Sequence, residues 1–195
     1  MRSVPLLGIV TQSRSAYRAA NQYGGPMRYI VMAIVMILTC LDLSTAQAAV
    51  TPGERASLAG LPGVKVVIED IKSDAQADGL SEEAIRTAVE LILRSNGIRV
   101  LTQSELLTTP SGPYLYVMVN SMKSKTGSYY AVGIIVQLNQ RVSLVHRPEH
   151  TMAATTYEMS GVGIYSTHLL RSLISDVIEP YVKIFANDFL AINPR

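Results

Sequence analysis

The sequence contains a single cysteine, Cys40, and therefore cannot form a disulfide within one chain. Cys40 lies in an N-terminal segment that we expect to be removed during export. The remaining chain then has neither disulfides nor thiol chemistry. This excludes the cysteine-stapled class of small secreted domains and any cysteine-dependent catalysis.

Long hydrophobic runs are also scarce. The strongest run, Ile30–Leu41, is shorter than the about 20 apolar residues that a membrane-spanning helix needs. Arg28 precedes this run and Ala46-Gln47-Ala48 follows it, which is the order typical of a secretory signal peptide with an A-x-A cleavage site. We therefore predict a signal peptide over residues 27–48 and a mature protein that is periplasmic or secreted.

Acidic residues are absent from the first 26 positions, which carry Arg2, Arg14 and Arg18. Met27 could itself start a conventional signal peptide. Residues 1–26 are thus interpreted as a misassigned start, which we favour, or as an extended basic region of the signal peptide. Either way, residues 1–48 are left out of the fold prediction.

One alternative to ordinary cleavage uses the cysteine. Ile37-Leu38-Thr39-Cys40 resembles a lipobox, in which cleavage before the cysteine leaves a lipid-anchored N-terminus. Thr39 is bulky for the position before such a cysteine, which favours cleavage after Ala48. For localisation we therefore predict a periplasmic or secreted protein, with lipid anchoring through Cys40 as the alternative.

The chain as a whole is basic, but its excess of positive charge lies in the leader. Beyond residue 48 the sequence holds 13 Lys and Arg against 14 Asp and Glu. The sequence pI of about 8.7 is therefore no evidence for binding nucleic acid or anionic membranes. What remains is long enough for one domain, which we place at 63–195 after a linker at 49–62.

Hydrophobic periodicity predicts an α+β domain. Apolar residues recur at helical spacing after Ser81 and again after Thr167, where Pro180 should interrupt the helix. The other segments alternate or are rich in β-branched residues, which indicates strands at Val64–Ile68, Ile98–Leu101, Tyr114–Asn120, Tyr130–Leu144 and Thr151–Met159. The order is β-α-β-β-β-β-α, a mixed, mostly antiparallel sheet with two helices on one face.

Several local features follow from the same patterns. A bulge is expected near Asn139–Arg141, because the strand there is unusually long. The last helix, Thr167 to about Leu190, should lie across the sheet with its residues Ile174 and Val177 buried, and Phe185 and Phe189 should anchor it beyond Pro180. Loops are predicted at Asp70–Gly79, Ser121–Ser128, His146–His150 and Gly161–Ser166.

The sequence has three histidines, and two of them form His146-Arg-Pro-Glu149-His150, a match to the H-x-x-E-H string of one class of zinc peptidases. That chemistry requires a helix, whereas Pro148 and strand-like flanks predict a hairpin tip. Gly161 and Gly163 lack the third glycine of a dinucleotide-binding loop, and no Ser/His/Asp order is recognisable. We predict no catalytic, cofactor or metal site. His146, Glu149 and His150 would be the ligands of a metal-binding alternative.

The concentration of aromatic residues at Tyr114, Tyr116, Tyr129 and Tyr130 gives a candidate interaction surface. Tyrosine offers a large amphipathic contact area, which suits protein interfaces. Cross-strand packing near the hairpin explains the same residues equally well. Both interpretations stay open at this point.

Four segments resemble an uncharacterised family of exported bacterial α/β proteins: Gly79–Glu83, Glu90–Thr102, Pro113–Val117 and Asn187–Pro194. The resemblance covers about residues 61–194 and implies export, with no known activity. The order of elements is also similar to small envelope domains such as the N-terminal domain of TolB, a likeness of topology alone. We hypothesise a non-enzymatic exported domain that binds a protein or a component of the cell envelope. A periplasmic protein that binds a small molecule or a metal is the alternative.

Overall fold

The computed structural model describes residues 50–194, and the predicted signal peptide and start lie outside this part of the chain. Four strands are described: β1 (Lys65–Ile68), β2 (Tyr114–Lys123), β3 (Tyr129–Leu144) and β4 (Arg147–Ser166). The α-helices are α1 (Pro52–Ala56), α2 (Ser73–Ala77), α3 (Glu82–Ser95), α4 (Gln103–Thr108) and α5 (Glu179–Ile192). A 3-10 helix (Thr167–Ser172) and a π-helix (Ile174–Ile178) lead into α5. Between residues 50 and 194 no helix is long and apolar enough to cross a membrane.

The strands form one sheet in the order β1-β2-β3-β4. β1 pairs with β2 in parallel, and the other two pairs are antiparallel. The predicted α+β class with a mixed, mostly antiparallel sheet is confirmed. The predicted strand Ile98–Leu101 is wrong, because this segment meets β1 through a single parallel bridge between Val64 and Val100.

Helix α3 forms as its sequence predicts. The Ser81 hydroxyl accepts a hydrogen bond from the Ala84 backbone N–H and caps the first turn. The apolar stripe of α3 is buried in the core, and Gly97 ends the helix at φ 70°. The buried members of the stripe are Ile85, Val89, Ile92 and Leu93.

The C-terminal segment is interrupted at Pro180, as predicted, because α5 begins there and proline is tolerated in a first turn. Phe185 and Phe189 are buried, which confirms the predicted anchor. The predicted burial of Ile174 and Val177 is wrong, because both side chains are half-buried at the edge of the core. The 3-10 and π windings depart from 3.6 residues per turn and turn Leu173 and Ile178 inward instead.

Residues 50–62 are packed on the domain, which corrects the predicted linker at 49–62. Thr51 and Glu54 form a capping box that starts α1, and Leu58 is fully buried. The Asn193 amide donates to the Leu58 carbonyl at 2.9 Å and accepts from the Gly60 N–H at 2.7 Å. This segment is therefore held against the end of α5.

Strand β4 is longer than predicted and absorbs two predicted loops. Gly161–Ser166 continues β4 opposite β3, so pairing with β3 overrides the turn preference of the glycines. β4 also begins at Arg147, which leaves only Val145 and His146 in the turn. The predicted bulge is confirmed between Leu138 and Asn139, with the extra residue, Thr156, on the partner strand.

The acidic segment Asp70–Gly79 is not a simple loop. It contains α2, which buries Ala75 in the core. Ile71 and Leu80 on either side of this helix are buried as well. Of its acidic residues, Asp70 is exposed, whereas Asp74 and Asp78 are half-buried.

Candidate functional site: the open face of the sheet

Alternation along the strands gives the sheet two different faces. Leu115, Val117 and Val119 of β2 point into the core beneath the helices, so the residues between them point to the opposite side. We call this opposite side the open face. Its apolar members are Val67, Tyr114, Tyr116, Met118, Met122, Tyr129, Ala131, Gly133, Ile135, Val162 and Ile164.

The strand register orders the open face into rows. Tyr116 lies between Val67 of β1 and Gln137 of β3. Farther along, Met118 pairs with Ile135, which in turn pairs with Ser160 of β4. Adjacent strands are about 4.8 Å apart, so the side chains of a row contact one another and form a continuous surface.

The structure divides the four tyrosines singled out from the sequence. Tyr114 and Tyr116 are half-buried neighbours on the open face. Tyr129 is 55% exposed on the same face, eight residues from the Gln137 row, which is about 26 Å along the strand. Tyr130 is fully buried on the side of the sheet that faces the helices, so the prediction that it belongs to an interaction surface is wrong. Consecutive residues of a strand point to opposite sides of the sheet, so Tyr129 and Tyr130 cannot belong to the same surface.

Tyr130 belongs instead to a polar cluster that sequence reasoning missed. Its hydroxyl donates to Oδ2 of Asp78 at 2.6 Å, and the Lys123 ammonium donates to the same oxygen at 2.6 Å. The bond from Lys123, followed by that from Tyr130, lowers the pKa of Asp78 below its ordinary 3.8. Burial raises the pKa of Tyr130, so its hydroxyl stays protonated as the donor. The cluster holds the end of α2 against β2 and β3.

This cluster predicts a pH dependence of stability. Because Asp78 has a lower pKa when folded, its contribution is present above the unfolded pKa and is lost as pH falls through the folded pKa. The urea midpoint of the parent should therefore fall below about pH 4, and Asp78→Asn should flatten that fall. Asp70→Asn, which removes an exposed carboxylate from the same segment, is the control. Equal slopes for the parent and Asp78→Asn would contradict the assignment.

A shallow trough crosses the open face at the end away from Tyr114 and Tyr116. Its floor is formed by Ala131 and Gly133, two small residues of β3, and its volume is about 550 Å³. One wall contains Met122, which is 69% exposed, and the other contains Val162 and Ile164, which are 92% and 78% exposed. Large apolar walls above a floor of small residues can receive apolar side chains from a partner.

Part of this trough was readable from the sequence. Val162 and Ile164 alternate with glycines, a period-2 pattern that indicates a strand. The glycines led to the prediction of a connection, so the apolar positions between them were not assigned to a face. Only the register with β3 shows that they stand beside Ala131 and Gly133.

The histidine motif does not form a metal centre in the described structure. His146 lies in the β3–β4 turn, and the three candidate ligands, His146, Glu149 and His150, are all exposed. His150 Nε2 is 3.6 Å from Oε1 of Glu149. Between residues 50 and 194, no three His, Cys, Asp or Glu side chains gather closely enough to hold a metal ion.

No family model matches the chain. No curated protein matches it either. Among solved structures, the chain is similar to a dodecamer of a PelC point variant from Paraburkholderia phytofirmans, with 15% sequence identity. The match covers 72% of this chain and 96% of that chain, with a TM-score of 0.38. A likeness of this extent carries no argument about function and assigns the chain to no family.

Proposed function

We propose that this chain is a non-enzymatic exported protein, periplasmic or secreted, that binds a protein or another component of the cell envelope through the open face. The observation that carries the proposal is the open face itself, a largely apolar and uncharged surface with Tyr114 and Tyr116 at one end. Exposed apolar patches rimmed by polar residues mark interaction sites in soluble proteins. The signal-peptide pattern over residues 27–48 supports the export part of the proposal.

The chemistry of the face favours a macromolecular partner. Charged side chains lie at its margins, with Lys65 on β1 and Glu158 on β4, whereas its centre combines apolar side chains with the uncharged amides of Asn120 and Gln137. Interfaces between proteins are likewise depleted of charged residues at their core, enriched in tyrosine and methionine, and surrounded by a polar rim. A small molecule needs a pocket that buries most of its surface, whereas the trough on this face is shallow and open to solvent.

The test compares tyrosine variants with a matched control. The protein is expressed from its full coding sequence with an affinity tag, cross-linked in cells and recovered from the envelope fraction. Tyr114→Ala/Tyr116→Ala should reduce recovery of the partner about tenfold, because truncating aromatic anchors costs about 1–2 kcal/mol or more. Leu107→Ala removes an exposed leucine from α4 and should leave recovery unchanged. Equal recovery from both variants, with both folded by circular dichroism, would refute binding through this face.

A further inference from the structure

Strand β4 is an edge of the sheet, and the hydrogen-bond pattern shows which of its backbone groups point outward. The Thr167 N–H donates to the Ser128 carbonyl at 3.0 Å, which makes this a hydrogen-bonded pair of the β3–β4 ladder. Such pairs alternate in antiparallel strands, so the odd-numbered residues of β4 from 157 to 165 bond to β3. The even-numbered residues direct their N–H and C=O groups away from the sheet: Glu158, Ser160, Val162, Ile164 and Ser166.

The last part of this edge has no backbone partner. At Ser160 the Tyr181 hydroxyl of α5 donates to the outward carbonyl at 3.3 Å. Farther along, no other residue between 50 and 194 bonds to the outward groups of Val162 and Ile164, and both side chains are exposed. We call Ser160–Ser166 the free edge. A row of outward N–H and C=O groups on a strand is a template for one kind of protein partner, another extended strand.

The free edge also lacks the features that prevent strand pairing. Natural edge strands are protected by charged side chains, prolines and bulges. The earlier part of β4 has all three, with Arg147, Pro148 and Glu149 at its start and a bulge at Thr156. The free edge has neither charge nor proline, and its larger side chains, valine, isoleucine and tyrosine, all favour strands. It is therefore the part of β4 that is suited to pairing.

The backbone of the free edge is complementary to itself. In an antiparallel pair centred on Gly163, Val162 of each copy lies opposite Ile164 of the other. Both residues direct their backbone groups outward, so each of these pairs exchanges both of its N–H···O bonds. Their exposed side chains then meet across the two strands on the open face, as cross-strand neighbours do. A two-fold axis at Gly163 generates the whole arrangement from one copy.

The side chains on the other face of the free edge match in the same register. Tyr165 of each copy lies opposite Gly161 of the other, and a glycine leaves room for the ring of the residue beside it. Ser160 lies opposite Ser166 at each end. No two like charges are placed opposite each other along the free edge, so nothing in its sequence opposes self-pairing.

We infer that the free edge pairs with the free edge of a second copy, which extends the sheet across a two-fold axis at Gly163. The paired stretch is only about 23 Å long, so the interface lies at the small end of specific interfaces and the dimer should depend on concentration. The contact is made by the edge of the sheet and leaves Tyr114 and Tyr116 uncovered. It therefore goes beyond the proposed function.

Gly163→Cys gives the sharpest test. In the inferred register, position 163 of each copy faces position 163 of the other in a non-hydrogen-bonded pair. The Cα atoms of such a pair are about 4.5 Å apart, a distance at which a disulfide can form. A Cβ at Gly163 would have the ring of Tyr165 as its nearest neighbour, at 3.1 Å, and this side chain can turn aside. Mild oxidation should convert most of the folded variant to a disulfide-linked dimer on a non-reducing gel.

Ile164→Cys is the matched control. Position 164 is out of register with its own copy by two residues, which separates the Cα atoms by roughly 8 Å, too far for a disulfide. This variant should stay monomeric on the same gel, and the parent controls for the natural Cys40. Absence of a cross-link in Gly163→Cys, or an equal or stronger cross-link in Ile164→Cys, would overturn the inferred pairing.

A second pair of variants tests the backbone without a cross-link. Val162→Pro removes an N–H that points out of the sheet, so it costs no hydrogen bond within one copy. Val162→Thr keeps this N–H and the β-branched shape but makes the side chain more polar. If backbone pairing holds the dimer, the proline should raise the dissociation constant about tenfold or more, whereas the threonine should change it little.

The measurement is the molar mass by light scattering over a concentration series, on protein expressed from the full coding sequence. The parent and Val162→Thr should approach dimer mass with rising concentration, whereas Val162→Pro should remain monomeric with an unchanged circular dichroism spectrum. A parent that is monomeric at every concentration, an assembly larger than a dimer, or a dimer that Val162→Pro leaves unchanged would each overturn the inference. If Val162→Pro fails to fold, the cross-link at position 163 decides.

The pairing and the proposed function fail separately, because they use different residues. Tyr114→Ala/Tyr116→Ala leaves the free edge intact and should dimerise like the parent. A monomeric parent that still yields an envelope partner dependent on these tyrosines overturns the pairing alone. A dimeric parent that yields no such partner refutes the proposed function alone.

Discussion

Replacing Gly63 with alanine is expected to lower the free energy of unfolding by about 3 kcal/mol or more. A Cβ at this position would lie 2.3 Å from the carbonyl oxygen of Arg99 and 2.9 Å from its Cβ. The backbone oxygen and the Cβ are fixed by the main chain, so the clash cannot be relieved by rotating a flexible side chain. The contact lies beside the bridge from Val64 to Val100, where the Val64 N–H donates to the same Arg99 carbonyl at 2.9 Å. Relief of the clash must therefore break the connection between β1 and the segment after α3.

Gly60→Ala is the matched control for this prediction. Gly60 also has a positive φ, 72°, but a Cβ there would have no neighbour within 4 Å. Its replacement should cost only the backbone strain, about 1 kcal/mol. Urea unfolding of both variants at one protein concentration measures the difference, since any pairing would make stability depend on concentration. Equal losses for the two variants would contradict the steric explanation.

The helices and long strands were predictable because their signals are local. The stripe of α3, its Ser81 cap and its stop at Gly97 are all determined by residues within one helix. The long alternation in β3 predicted both its length and its burial pattern. In each case the residues that decide the structure are close together in the sequence.

The sequence-based predictions were wrong where the local structure depends on residues that are distant in the sequence. The helical segment at residues 52–56 is held by Arg55, whose guanidinium pairs with Asp188 at 3.2 Å, and by the contacts of Asn193. Gly161 and Gly163 remain in a strand because β3 supplies a full set of partners. Neither partner can be read from the composition of the segment, which in both cases indicates a turn or a linker.

The candidate site depends on register more than on residue type. The cluster of tyrosines was visible in the sequence, but a one-residue difference places Tyr129 on the open face and Tyr130 in the core. The trough combines residues of three strands, and only their pairing brings Met122, Ala131 and Ile164 into one row. Sequence alternation therefore predicts that an apolar face exists but not which side chains share it.

Phe185→Ala is expected to lower the free energy of unfolding by about 3–5 kcal/mol. The Phe185 side chain is fully buried, and its ring meets the Tyr157 ring edge-on at 5.4 Å between centroids and the Phe189 ring at 6.1 Å. Its removal leaves a cavity between α5 and β4. The Tyr157 hydroxyl, which donates to Asp188 at 3.0 Å, would lose the neighbour that fixes its ring. Thermal unfolding should show a midpoint lowered by roughly 10 °C or more.

Ile184→Ala is the control, because Ile184 precedes Phe185 on α5 and is exposed. Ile184 is 37% exposed, so its truncation should lower the free energy of unfolding by only about 1 kcal/mol, partly offset by the higher helix propensity of alanine. A large loss at Phe185 beside a small one at Ile184 means that one face of α5 covers the sheet as part of the core. A Phe185→Ala variant that melts cooperatively at the parent temperature would show that α5 contributes little to holding the sheet together. The apolar stripe of α5 would then have to be explained by a contact outside the domain.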